Sequence, residues 1–246
     1  MNLYGEIFTD FYDRHFGDYA EKAAPFLLRF LARLPETLRR LSVLDLGCGT
    51  GRLALRFLEA GYSFVGLDQS PHMLWMAENR CWRYVAAHRG RFLQEDISQF
   101  QIGSPFGLVL STYNVLNHLE SPERLRGCFR SVRRCLADGG RFAFDFQTWS
   151  GLKEWASRES AQWKAERIEC SGELNEVNRT AAMHLKGEVE GKPFEEKILN
   201  YTYPMAEVAH WLKEEGFQKS DFFRITDMLN PLEDPEKENR VFVLAG

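Results

Sequence analysis

Nowhere does this chain approach the roughly 18 uninterrupted apolar residues of a membrane span, and Met1 to Phe11 carries Glu6 and Asp10 where a secretory leader would be apolar. An unexported, cytoplasmic protein with no membrane partner is therefore expected. The five cysteines (Cys48, Cys81, Cys128, Cys135, Cys170) form no C-x-x-C pair and are odd in number, which argues against a disulfide framework or a zinc site and for reduced, packed thiols. Positive charge is not in excess either. The formal net charge of −4 speaks against a nucleic acid as the main partner. Neither an internal repeat nor a low-complexity stretch interrupts the 246 residues, which suit one large domain or one domain with a sizeable insertion.

What is present is concentrated in Val43-Leu44-Asp45-Leu46-Gly47-Cys48-Gly49-Thr50-Gly51. Val43, Leu44 and Leu46 fit a buried strand, and the three glycines remove Cβ atoms where the backbone turns sharply or lies against a ligand. A short amphipathic helix from Arg52 to Ala60 follows, stopped by Gly61. Such a corner serves nucleotides, phosphates and plain structural turns alike. Two absences narrow it: Arg52 stands where a dinucleotide fingerprint starting at Gly47 needs its third glycine, and the Lys-Ser/Thr pair of a phosphate loop is missing.

The remaining pattern, D-x-G-x-G-x-G, resembles motif I of the class I S-adenosylmethionine-dependent methyltransferases. That resemblance implies a Rossmann-like, doubly wound, mostly parallel seven-stranded sheet. The chain order agrees with it. Ser63 to Leu67 reads as a second strand ending on Asp68, and Ser70 and Pro71 fit the N-cap and first turn of a helix through Asn79. A carboxylate at that strand tip is placed to accept both hydroxyls of a ribose. Arg91-Phe92-Leu93, Phe106 to Ser111 and Arg141 to Phe146 supply three more strands, with a helix from Ser121-Pro122 between the last two. Ahead of the motif, an aromatic-rich stretch from Tyr4 to Tyr19 leads into a helix expected from Asp18 to Arg40.

After Phe146 the rhythm changes. A short helical piece near Leu152 to Trp155 and β-like runs at Gln162 to Glu169, Leu174 to Leu185 and Glu195 to Tyr203 predict an antiparallel insertion over 147–203, covering the sheet as a substrate lid. The expected organisation is a core over 1–146, the lid, and completion of the core over 204–246. That last part holds a helix stopped by Gly216 and strands at Gln218 to Phe223 and Arg240 to Ala245.

Resemblance also implies roles. Asp45 faces the methionine ammonium of S-adenosylmethionine, Gly47 and Gly49 form its backbone cradle, Asp68 holds the ribose, and Cys48 and Gln69 are further cofactor-binding candidates. Met73 packs on adenine, Asp96 accepts from the adenine amine beside the Ile97 amide, and Asn114 lies at the fourth strand end. Asn114-Val115-Leu116-Asn117-His118-Leu119 is similar to a segment of N-methyltransferases acting on amino sugars, where a histidine and an N-terminal tyrosine line the acceptor pocket. The matching residues are His118 and Tyr12, the candidate catalytic pair. No Asn/Asp-Pro-Pro-Tyr/Phe or Pro-Cys motif suggests a nucleobase acceptor, and no carboxylate set suggests Mg2+. The expectation is methyl transfer to a small molecule, nitrogen before oxygen, with S-adenosylhomocysteine as product and no metal. An inactive S-adenosylmethionine-binding or partner-binding module and a methyltransferase of macromolecules stay open as alternatives.

Overall fold

A computed structural model of the chain describes residues 5–103, 105–157, 168–189 and 191–246. Helices α1 (Glu6–Phe16), α2 (Asp18–Arg33) and α3 (Glu36–Arg39) precede the alternating part. That part runs β1 (Val43–Leu46), α4 (Arg52–Glu59), β2 (Phe64–Asp68), α5 (Pro71–Arg80), α6 (Trp82–Ala86), β3 (Gly90–Gln94), β4 (Phe106–Ser111), α7 (Pro122–Cys135) and β5 (Leu136–Gln147). Next come α8 (Trp149–Ala156) and the strands β6 (Glu169–Asn175), β7 (Thr180–Val189) and β8 (Lys192–Tyr201). The chain closes with α9 (Met205–Glu214), β9 (Ser220–Phe223) and β10 (Arg240–Ala245).

Seven strands form one sheet in the order β3-β2-β1-β4-β5-β10-β9, and β6, β7 and β8 form a separate antiparallel sheet. β3, β2, β1, β4 and β5 are parallel, whereas β10 runs antiparallel to both β5 and β9. From β1 the chain winds outward through β2 to β3, then crosses back to lay β4 on the other side of β1. The carboxyl ends of β1 and β4 therefore frame a crevice, which is where open α/β sheets bind ligands. One face is filled by Leu125, Phe129 and Val132 of α7 against Phe142 and Phe144, the other by Leu27 and Leu31 of α2 and Phe57 of α4 against Phe64. Each fully buried side chain of this kind contributes about 1.5–3 kcal/mol, so the sheet is a stiff platform and the loops at its edge inherit that stiffness.

Several local expectations are met for the stated reasons. The Ser70 hydroxyl accepts from the Met73 amide with Pro71 in the first turn, and Ser121 caps Arg124 in the same way. Gly107 is required sterically: a Cβ there would lie 2.2 Å from the Leu38 carbonyl oxygen, so α3 packs directly on β4.

Others are corrected. The helix expected from Asp18 to Arg40 breaks at Leu34 and Pro35, because proline holds the residue before it extended (Leu34 ψ 154°). The run Leu174 to Leu185 is two strands, not one. The Asn175 side chain accepts from the Asn178 amide and turns the chain between β6 and β7. The short helix α6 carried no strong periodicity and was not foreseen. The β-like run from Gln162 falls, up to residue 167, outside the described residues.

Candidate functional site

The glycine corner closes in a way the strand dictates. Gly47 and Cys48 both donate their amides to the Leu67 carbonyl, which folds the chain back over β2. Gly47 has φ 71°, and a Cβ on it would sit 2.5 Å from Val115, so glycine is needed here for both conformation and space. Gly51 has another purpose: its Cβ position lies 2.8 Å from Ala77, so it lets α4 pack on α5. The Cys48 side chain is buried against Gly66, which leaves its backbone, not its thiol, at the loop.

Asp68, at the tip of β2, accepts from the Gly49 amide at 2.9 Å through Oδ2 and from the Ser70 amide at 2.9 Å through Oδ1. Burial pushes its carboxyl above the usual range, opposed by these amides. Asp45 is more extreme. It is 2% exposed, its Oδ1 has no hydrogen-bond partner, and burial followed by the nearby Asp68 charge pushes its carboxyl well up. A buried, unpaired carboxylate beside another is stable only when a cation or donor reaches it. It lines a small cavity of about 50 Å3 with Tyr19, Gly47 and Gly49, which opens beside a larger one.

The larger cavity, about 350 Å3, is in the range of small-molecule sites. Gly47, Gly49, Asp68, Gln69, Met73 and Ile97 are on its walls, as are Asn114, Tyr12 and His118. The structure thus brings together nine of the predicted residues, with Asp45 and Cys48 in the adjoining pocket. Asp96 stands apart. Its carboxylate accepts from the Ser98 amide and pairs with Arg124 at 3.0 Å, and it is absent from the cavity wall that Ile97 and Arg124 share. Burial raises its pKa, but Ser98 and Arg124 outweigh this and hold it low.

Tyr12 reaches the cavity because α1 is bolted to the glycine corner by Asp13. That carboxylate takes the Thr50 hydroxyl at 2.5 Å, Arg52 at 2.8 Å and Arg80 at 2.9 Å. Arg52, the residue that excluded a dinucleotide loop, is therefore the anchor of the N-terminal helix. Burial pushes Asp13 up, yet Arg52, Thr50 and Arg80 prevail and hold it below the ordinary carboxylate range. Asp13→Ala is expected to cost about 2 kcal/mol, less than a fully buried pair because Arg52 keeps some solvent contact. Urea unfolding checks it, and a loss below about 0.5 kcal/mol, the scatter of ordinary surface changes, would refute the anchor. Because the folded pKa is depressed, this stability is present above the ordinary value near 4 and fades as pH falls through the lower folded one.

Sequence reasoning missed a second anchor. Asp145, 1% exposed on β5, accepts the Asn114 amide at 2.7 Å, the Tyr113 amide at 2.8 Å and the Tyr19 hydroxyl, with Arg240 at 3.6 Å. These bonds hold Tyr113 and Asn114 at φ 69° and 64°, a conformation that non-glycine residues rarely adopt. The available signal was a lone carboxylate inside the apolar run Phe142 to Phe146. Two residues on, Gln147 is clamped by Asn117, whose side chain also donates to the Tyr201 carbonyl. The loop after β4 is thereby tied to the separate antiparallel sheet.

His118 ends the 3-10 turn Val115–His118. Its Nδ1 lies 2.9 Å from the Leu199 carbonyl, and a carbonyl demands a proton there, so the neutral ring carries its lone pair on Nε2. Burial lowers the His118 pKa, with the Leu199 bond opposing. Trp155, Met183, Ile198 and Asn200, all from the 147–203 segment, complete the cavity opposite Gly47. Among the described residues no cluster of histidine, cysteine or carboxylates has the makings of a metal site, and no helix is long and apolar enough to cross a membrane.

Comparison with known proteins bears on this arrangement. Residues 43–140 match the family model described as a methyltransferase domain. YqeM of Bacillus subtilis (strain 168), named a methyltransferase on inference, is 28% identical over 222 residues, 87% of this chain and 86% of that one. A dTDP-amino-sugar N,N-dimethyltransferase of Streptomyces venezuelae is 28% identical over 137 residues, 56% of this chain and 54% of its own. The crystal structure of an S-adenosylmethionine-dependent methyltransferase from Clostridium acetobutylicum ATCC 824 superposes with a TM-score of 0.76 at 19% identity, covering 97% of this chain and 96% of that one. At that identity the likeness carries the fold.

Proposed function

We propose that this chain, which belongs to the class I S-adenosylmethionine-dependent methyltransferases, methylates a nitrogen atom of a small molecule held beneath its antiparallel insertion. One observation carries the reading: a single cavity has Asp68, Gly47, Gly49 and Met73 on one wall and Tyr12, His118 and the insertion on the other. The residues present fit the donor. Asp45, buried and unpaired at Oδ1, suits an ammonium; Asp68, preset by two backbone amides, suits a ribose; and Met73, 2% exposed, offers an apolar contact to a base. Asp96, committed to Arg124, suits adenine less well than the Ile97 amide does. When bound, S-adenosylmethionine supplies a methyl carbon whose bond to sulfur breaks with the electron pair left on sulfur, giving S-adenosylhomocysteine.

The protein's own contribution is positioning and proton removal. The acceptor nitrogen offers its lone pair to the methyl carbon and must shed a proton, which His118 takes at Nε2. The described residues of the 147–203 segment act as the lid that excludes water, and the core lies to either side of that segment in sequence. The relatives that name amino-sugar nitrogen as their target support a nitrogen acceptor.

Calorimetry with S-adenosylmethionine and S-adenosylhomocysteine is expected to show micromolar or tighter binding, and a panel of small amines to yield S-adenosylhomocysteine; a wild-type protein that binds neither nucleoside ends the reading. Because the His118 pKa is lowered, the neutral base persists to mildly acidic pH, and kcat/KM is expected to fall only below the usual histidine value near 6.5. His118→Gln should remove that limb and cost about tenfold, less than the roughly hundredfold low end for a general base, because a deprotonated amine is already a good nucleophile. An unchanged pH–rate profile in this variant would assign His118 to packing.

A further inference from the structure

Arg240 is not used by the mechanism above, yet it opens β10 at the cavity wall, directly opposite Gln147 at the end of β5. Its guanidinium lies 4.8 Å from the centre of the Tyr19 ring and 5.3 Å from that of Tyr113, which fixes the plane of the group. The carboxylate nearest to it is already occupied. Asp145 gives its oxygens to the Asn114 and Tyr113 amides and to the Tyr19 hydroxyl, and stands 3.6 Å from Arg240, too far for a hydrogen bond. Asp145 thus holds the charge in place at ion-pair distance, and the Tyr19 hydroxyl oxygen takes one donor of the fork.

The same cavity contains a second unmet group. Asn200, 2% exposed, has no partner for its side-chain carbonyl oxygen. It precedes Tyr201, whose carbonyl is joined to Gln147 through Asn117, so β8 and Arg240 converge on the end of β5. This is the side of the crevice away from Asp68 and Met73, since β4 and β5 separate β10 from β1.

We infer that Arg240 is the anchor for an anionic group, carboxylate or phosphate, on the methyl acceptor, and that Asn200 accepts a hydrogen bond from an N–H or O–H of the same molecule. The acceptor class is thereby narrowed from small amines to amines that carry an anion. A planar fork with fixed orientation suits a two-oxygen anion, while a neutral amine would offer nothing to the donors that Tyr19 leaves over at this half-buried cavity wall. This rests on the methyltransferase reading.

The test pairs each anionic amine with a neutral partner: sarcosine with dimethylamine, phosphoethanolamine with ethanolamine, a sugar-phosphate amine with the free amino sugar. Binding of each is measured by calorimetry to the full-length protein saturated with S-adenosylhomocysteine. At least one anionic member is expected to bind tenfold or more tightly than its partner, and the carboxylate and phosphate pairs separate the two sources of charge. In Arg240→Gln the preference should vanish while S-adenosylhomocysteine affinity stays within twofold; in Arg240→Lys part of the preference should return. A panel in which no anionic amine outbinds its neutral partner overturns the proposal, and needs no variant. So does a tenfold loss of S-adenosylhomocysteine affinity in Arg240→Gln, which would give the guanidinium to the donor's carboxylate. Failure of the wild type to bind S-adenosylhomocysteine would instead strike the methyltransferase reading itself.

Discussion

Replacing Asp145 by alanine is expected to lower the folding stability by about 4 kcal/mol, within the range found when one partner of a buried charged network is removed. Three consequences add. The amides of Tyr113 and Asn114 lose their acceptor in a buried place, the Tyr19 hydroxyl loses its own, and the Arg240 charge loses its counterion. Each orphaned group costs about 1–3 kcal/mol, partly recovered by relaxation. Asp145 holds the left-handed pair Tyr113 and Asn114 through both amides, so without it the loop carrying Val115 and His118 should relax toward ordinary backbone angles. Urea unfolding measures the first effect. The second appears as a fall in kcat with a smaller change in S-adenosylmethionine affinity. Asp145→Asn retains acceptor oxygen and shape, and should lose about half as much. A stability loss below 1 kcal/mol in Asp145→Ala would show that the loop is held by packing alone.

The second large effect falls on the donor. Asp68→Ala is expected to weaken S-adenosylmethionine binding at least about a hundredfold, close to 3 kcal/mol, because the two charge-assisted bonds proposed to the ribose hydroxyls would be lost together. The same carboxylate also takes the Gly49 and Ser70 amides, so the glycine corner loosens as well. Asp68→Asn separates the two contributions: the amide oxygen still accepts one backbone bond, while the ribose contact loses its charge. Since burial raises the pKa values of both Asp45 and Asp68, donor affinity should decline as pH drops from neutral into the mildly acidic range, before ordinary carboxylates titrate. A Kd for Asp68→Ala within fivefold of the wild type would remove the ribose from this carboxylate.

Much of this site is legible along the chain because its proposed donor half is built from local rules. The strand, the glycine corner, Asp68 at a strand tip and the Ser70-Pro71 helix start lie within 29 residues of one another, Val43 to Pro71, and each is written in residue type and short spacing. The acceptor half is not local. Tyr12 and Asp13 of α1, Asp145 of β5, Asn200 of β8 and Arg240 of β10 come from four separate elements, and no spacing links those elements. Arg52 shows the difference well: its identity excluded a dinucleotide loop, but its bond to Asp13 spans 39 residues and follows only from packing α1 on the corner.

By itself, then, the sequence determined the alternation of the five parallel strands with their helices apart from the short α6, the sharp turn after β1 and the residues at the carboxyl ends of those strands. Backbone sterics and side-chain periodicity act over a few residues and are readable there. Tertiary structure alone decided that Asp96 pairs with Arg124, that Cys48 faces the core, that Asp145 holds a strained loop and that Arg240 reaches the cavity. Those outcomes depend on which buried charges and donors meet when distant elements close, and the cost of leaving any of them unpaired selects the arrangement.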